Sequence, residues 1–174
     1  MDKLKYLKED PLNIEEIKRF IGTVDKPLLI VGIGTPKLIL DSVGPYIATQ
    51  LQVRGFKVRG TLTRPVHALN IRKFIKSINL NEYFVVAIDA SVGEDIGAIT
   101  IRKGNIRPGV AVGKNLPPIG DLAISLTVAT PLDFYDKSPE AINNALGTDP
   151  NNLIDFFREK LVYMFRQLRK EELF

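Results

Sequence analysis

The sequence predicts an α/β fold built on a largely parallel sheet, and three observations predict it. Pro27–Ile33 and Tyr83–Asp89 are continuous apolar runs of strand length, the pattern of strands covered on both faces. Segments with helical spacing of apolar residues alternate with them, as in βαβ units. The 174 residues suit one domain, 1–174, since no repeat, low-complexity tract or linker divides them. Pro108-Gly109 and Pro117-Pro118-Ile119-Gly120 read as loops inside that domain.

The elements follow in order. Asn13-Ile-Glu-Glu16 reads as a helix N-cap with a carboxylate three residues on, and Ile14, Ile17, Phe20 and Ile21 form an apolar stripe that Gly22 ends. Pro27–Ile33 is the first central strand, and Gly34–Asp41 is the loop after it. Ser42–Arg54, with Val43, Ile47 and Leu51 on one face and Gly55 beyond, is the next helix. Phe56–Leu62 has strand character, His67–Ile78 carries a helical stripe, and Tyr83–Asp89 is the second buried strand. Ala98–Arg102 and Ile106 flank Gly104-Asn105, a dipeptide suited to a tight antiparallel turn. Leu122–Ala129 is a further strand, and Asn151–Lys170 is the longest amphipathic helix.

Composition then narrows the chemistry. There is no cysteine, so disulfides, thiolate nucleophiles, Cys-based zinc sites and iron–sulfur clusters are excluded. His67 is the only histidine, which rules out a site needing two imidazoles from one chain. The first ten residues mix both charge signs, and no apolar run approaches the ~20 residues of a membrane span, so a soluble intracellular protein without membrane contact is expected. Net charge is only +4, yet Ser42–Asn81 holds seven Lys or Arg residues and no Asp or Glu. That segment is either a solvated face opposite acidic loops or a surface for an acidic partner. Nucleic acid is not the expected partner, because no aromatic residues interleave the charges in a known binding motif.

Two phosphate-loop signatures fail on spacing. Gly32-Ile-Gly34 follows a strand, but Lys37 stands where a dinucleotide fingerprint needs its third glycine; Gly109-Val-Ala-Val-Gly-Lys114 is one residue short and continues with Asn115. Carboxylates remain. Asp41 lies at a loop-to-helix transition after the first strand and Asp89 at the carboxyl end of the second, where open α/β sheets bind ligands. Either acid also has a capping role open to it, Asp41 or Ser42 at the helix start and Asp89 in a turn with Ser91. If they converge, they share a proton and activate water, or they hold a divalent cation between them, with Asp121 as a third oxygen donor. His67 is an auxiliary base or a hydrogen-bonded structural residue.

Five separated motifs in order carry a family resemblance. Ile33-Gly-Thr35 with Leu40-Asp-Ser-Val-Gly-Pro45, Pro65-Val-His-Ala-Leu-Asn70, Ala87-Ile-Asp-Ala90, Pro108–Pro117 and Ile119-Gly-Asp121 resemble the YyaC-type sporulation protein family across Pro27–Val128. That family is similar to the spore germination protease and, more distantly, to the hydrogenase maturation proteases. The resemblance implies a three-layer α/β fold, with a central mixed sheet between helix layers, in the cytoplasm of a spore-forming bacterium. Asp41-Ser-Val-Gly-Pro45 and Ile88-Asp-Ala90 match the two aspartate motifs of the germination protease, which makes Asp41 and Asp89 the implied catalytic pair. Departures are visible too. Pro36–Leu40 is more apolar than the loop typical of the family, and no histidine follows His67, so a nickel site of the hydrogenase maturation type is not implied.

The leading expectation is therefore a sporulation-associated endopeptidase in which Asp41 and Asp89 activate water, without a resident cofactor. Gly32, Gly34, Thr35, Ser42, Gly109, Gly113, Lys114 and Asp121 are expected to line the cleft over a peptide or protein substrate, and self-association is open. The alternative is a non-catalytic module of the same fold that binds a peptide or protein.

Overall fold

Among the described residues six strands form one mixed sheet, and their order follows from which apolar runs are covered on both sides. The computed structural model describes residues 2–108, 115–131 and 149–174. The strands are β1 (Lys3–Tyr6), β2 (Leu28–Gly32), β3 (Val58–Arg59), β4 (Phe84–Val92), β5 (Ile99–Lys103) and β6 (Leu122–Ala129), in the spatial order β1-β5-β6-β4-β2-β3. The four neighbours β6, β4, β2 and β3 are parallel, while β5 pairs antiparallel with both β6 and β1, so that β5 alone runs in the opposite direction. The most apolar runs take the interior positions, where a strand is hydrogen-bonded on both edges and covered on both faces over much of its length.

Helices cover both faces. α1 (Ile14–Ile21), α2 (Val43–Gln52) and α4 (Pro150–Lys170) supply one layer, and α3 (Ile71–Ser77) the other. Alternation along each strand divides the core accordingly. Ile30, Val86, Ile88, Leu122, Ile124 and Leu126 join the larger cluster with Ile17, Ile47, Leu51, Phe157 and Phe165; Leu29, Val31, Val85, Ala87 and Ala123 join the smaller one with Ile71. α4 contributes Leu153, Phe157, Leu161, Met164, Phe165 and Leu168, all virtually inaccessible, at roughly 2 kcal/mol of burial each. This is the three-layer α/β arrangement, with a mostly parallel sheet between helices. No helix among the described residues is long and apolar enough to cross a membrane.

Local chemistry explains the boundaries. Asn13 Oδ1 accepts the Glu16 N–H at 3.1 Å and caps α1, while the Glu16 carboxylate accepts the Tyr6 hydroxyl at 2.8 Å and so ties β1 to α1. β1 itself is an alternating segment, Leu4 and Tyr6 inward and Lys3 and Lys5 outward. Asp149 caps α4 through the Asn151 N–H, with Pro150 in the first turn.

Three expected elements differ. The strand expected over Phe56–Leu62 is only Val58–Arg59, because Gly60 turns with positive φ and packs its backbone against Gly32. The helix expected from His67 begins at Ile71, because the Asn70 side chain accepts the His67 N–H and donates to the Pro65 carbonyl, holding 65–70 as a loop. Gly104-Asn105 does not pair Ile106 with Ala98–Arg102. Both edges of β5 are already taken by β1 and β6, so Ile106 bridges to Ile119 instead.

Candidate active site

The strand order reverses between β2 and β4. From β2 the chain crosses through α2 to β3 on one side; from β3 it returns through α3 to β4 on the other. The connections at such a switch point diverge and leave a crevice beyond the carboxyl ends of the strands. β2 ends at Gly32, opposite Ile88, so Asp89 is the first residue of β4 past that end. Asp41 lies in the connection that leaves β2. The topology thus brings together the two acids that the sequence singles out.

Glycines let the backbones close in. A Cβ on Gly44, in the first turn of α2, would run into the Ile33 and Ile88 carbonyl oxygens, and one on Gly34, at φ 138°, would strike the Asp41 carbonyl. α2 therefore starts directly across the ends of β2 and β4. Gly32 and Gly34 are buried beneath this contact and do not line an open cleft as expected; their missing side chains set the spacing.

Asp41 does not cap α2. Its Oδ2 accepts the Thr35 N–H at 2.7 Å across the loop, within the 3₁₀ turn Leu40–Ser42. Nor does Ser42 cap through its side chain, since its Oγ donates to the Ile39 carbonyl at 2.6 Å. Thr35 contributes a backbone donor, and its own Oγ1 accepts the Lys37 N–H.

Asp89 rests on a face that changes character along the strands. On the α3 side, Val85 and Ala87 of β4 and Ala123 of β6 are apolar; the next positions on that face are Asp89, Ser91, Ser125 and Thr127. Asp89 lies opposite Ser125, and the Ser91 and Thr127 hydroxyls are 3.4 Å apart. These three hydroxyl residues form a polar floor that reading the strands as apolar runs overlooks. The signal is present in the period-2 register, since the next two alternate residues after Ala87, Asp89 and Ser91, and after Ala123, Ser125 and Thr127, are polar.

The electrostatics distinguish the acids. Burial, with the neighbouring charge of Asp41, pushes the Asp89 carboxyl up to about 8, against a smaller opposing effect from the Ala90 backbone. Asp41 is also raised by burial, while the Thr35 N–H and His67 pull it back. Burial and the Asp41 charge thus let Asp89 hold a proton near neutral pH. Both acids keep partly accessible surface. His67 Nδ1 lies 3.2 Å from the Leu69 N–H.

The other expected site residues fall elsewhere. Asp121 accepts the Val85 N–H at 2.8 Å, at the opposite, amino-terminal end of β4. Four residues of extended strand separate that point from Asp89, about 13 Å, so Asp121 is not a third donor to the pair. Gly109, Gly113 and Lys114 lie outside the described residues. Among the described residues no three His, Asp or Glu side chains are grouped to hold a metal ion. A divalent cation between Asp41 and Asp89 would draw its remaining ligands from water or substrate.

Large apolar side chains crowd the rim. Leu38, Ile39 and Leu69 are 64%, 44% and 85% exposed, and they stand in the two loops that carry Asp41 and His67. A family model described as "Protein of unknown function (DUF1256)" matches residues 6–135. The chain is also similar to a protein of Bacillus subtilis (strain 168) named "Uncharacterized protein YyaC", at 40% identity over 107 residues, 58% of this chain and 52% of that one. The chain thus spans about half the length of the curated relative it matches.

Proposed function

Starting from the premise that the chain belongs to the DUF1256 family, the group that includes YyaC-type proteins, we propose that it is an aspartate-dependent endopeptidase. The observation that carries the reading is the meeting of two carboxyl groups at the switch point of the sheet, near enough that the charge of Asp41 helps to raise Asp89. In this mechanism Asp41 takes a proton from water as the water oxygen bonds to the scissile carbonyl carbon, and Asp89 gives its proton to the carbonyl oxygen. The resulting diol collapses as Asp41 returns its proton to the amide nitrogen, the C–N bond breaks, and Asp89 recovers a proton from a diol hydroxyl. His67 acts as a positioning residue that favours the charged form of Asp41. Leu38, Ile39 and Leu69 would receive an apolar side chain of the substrate, which supports a peptide over a small polar molecule. The likeness to the germination protease fold and a role in sporulation in the cytoplasm belong to the same proposal.

A binding-only reading draws on one observation: the Thr35 N–H already occupies one oxygen of Asp41, as a purely structural staple would. Turnover of a peptide library by wild type, Asp41→Asn and Asp89→Asn separates the two. The hydrolytic reading expects each variant to lose roughly a hundredfold or more in kcat. Undiminished cleavage by Asp89→Asn removes that residue from the mechanism, and no cleavage by the folded wild type leaves the binding module.

A further inference from the structure

Beside the crevice lies a second concavity. A groove of about 800 Å3, within the ~300–1,000 Å3 of typical ligand sites, opens at the β3 edge of the sheet between the 60–66 loop and α3. Its floor is apolar, from Val58, Val66 and Phe74, and its charged residues are Arg59, Arg64 and Lys73, with no carboxylate among the lining residues. Arg59 bonds the Val58 carbonyl, while Arg64 and Lys73 have no partner among the described residues.

The surrounding charge is equally unbalanced. The ion pairs of the described residues join Lys5 to Asp95, Lys18 to Glu171, and Arg158 to Asp155 and Glu159. None uses a basic residue of Ser42–Asn81. The alternative of a solvated face balanced by acidic loops thus finds no counter-charge in ion-pair contact with it among the described residues, and a positive groove of this kind suits an acidic partner.

We propose that this groove binds an acidic, extended peptide segment whose carboxylates meet Arg59, Arg64 and Lys73 while its backbone lies along the apolar floor. A peptide fits better than a nucleic acid, because Phe74 is the one aromatic ring in the lining and successive bases need a stacking platform. The groove also adjoins the aspartate pair. Val66 and Asn70 line it, the Val66 carbonyl accepts the Gly34 N–H, and Asn70 holds the His67 backbone. A segment seated there presents its flanking residues to the crevice, so the proposal names the substrate class of the endopeptidase reading and, in that part, rests on it.

Fluorescence anisotropy with a labelled oligo-glutamate peptide tests the groove without any cleavage. Wild type binds at low salt and releases as salt rises, and the double variant Arg64→Glu/Lys73→Glu loses roughly tenfold or more in affinity. The control Lys3→Glu/Lys26→Glu changes net charge equally and keeps binding; thermal melts establish that both variants fold. Equal loss in both doubles, no binding by wild type, or tighter binding of oligothymidylate than of the peptide overturns the proposal. Cleavage of Glu-flanked and neutral peptides is followed in parallel. Binding without cleavage removes the hydrolytic reading and sustains the groove, whereas cleavage indifferent to the acidic flank, with no binding, removes the groove alone.

Discussion

Replacing Asp89 with Asn should stabilise the protein near neutral pH while removing the proposed chemistry. The amide keeps the shape of the protonated carboxyl, so packing beside Ser125 is unchanged and only the titration is lost. In the unfolded chain an aspartate titrates near ~3.9, whereas the folded carboxyl is pushed up to about 8 by burial and by Asp41. A carboxyl raised on folding contributes stability that is fully present below the unfolded value and lost as pH rises through the folded one. Wild-type stability therefore falls between ~pH 4 and ~pH 8, by at most ~1.4 kcal/mol per pH unit, and levels above that. At pH 7 the full penalty is ~4 kcal/mol, and halving it for the solvent that reaches the partly accessible group leaves ~2 kcal/mol. For a chain of this length that raises Tm by about 4–8 °C. Urea melts of both proteins from pH 5 to pH 8 measure it directly. The gap should widen with pH, and a variant no more stable than wild type at pH 8, or a gap independent of pH, would refute a protonated Asp89.

Other positions give separate checks. Gly44→Ala drives a methyl into the Ile33 and Ile88 carbonyl oxygens and should cost about 3 kcal/mol in a thermal melt, with loss of peptide turnover as Asp41 is displaced. Asp121→Ala leaves the Val85 N–H unpaired and should cost ~1–3 kcal/mol, yet kcat should stay at the wild-type value because this acid is at the other end of β4. Leu69→Ser, at an exposed rim position, should shift stability by less than ~0.5 kcal/mol while raising KM for peptides with an apolar residue near the cleaved bond.

Apolar runs carried the fold into view. Pro27–Ile33, Tyr83–Asp89 and Leu122–Ala129 are strands because they are buried on both faces, and a one-dimensional pattern records that. Local bonding made by single side chains is recorded far less well. Asn70 shortens the helix after His67 by bonding backward to Pro65, and nothing in the apolar stripe of Leu69, Ile71 and Phe74 distinguishes that loop from a first turn. Gly60 cuts β3 short because it must touch Gly32, a contact between residues far apart in sequence. The aspartates followed from strand ends and motif spacing, and the switch point between β2 and β4 brings them together. Asp121, expected as a third oxygen donor, precedes β6, and the parallel pairing of β6 with β4 places it at the other end of the sheet from the pair.

The two acids also belong to parts of the chain with different opening energies. Asp89 rides a strand hydrogen-bonded along both edges, to β2 and to β6, while Asp41 is held by a single 3₁₀ turn and the Thr35 N–H. Amide exchange at Val86 and Ile88 then tracks global unfolding, and exchange at Thr35 tracks a local opening that lifts Asp41 away without disturbing the sheet. Because that opening relieves repulsion between the carboxyls, it becomes more frequent as Asp89 loses its proton. The Thr35 amide is thus a substrate-free reporter of how often the pair is assembled.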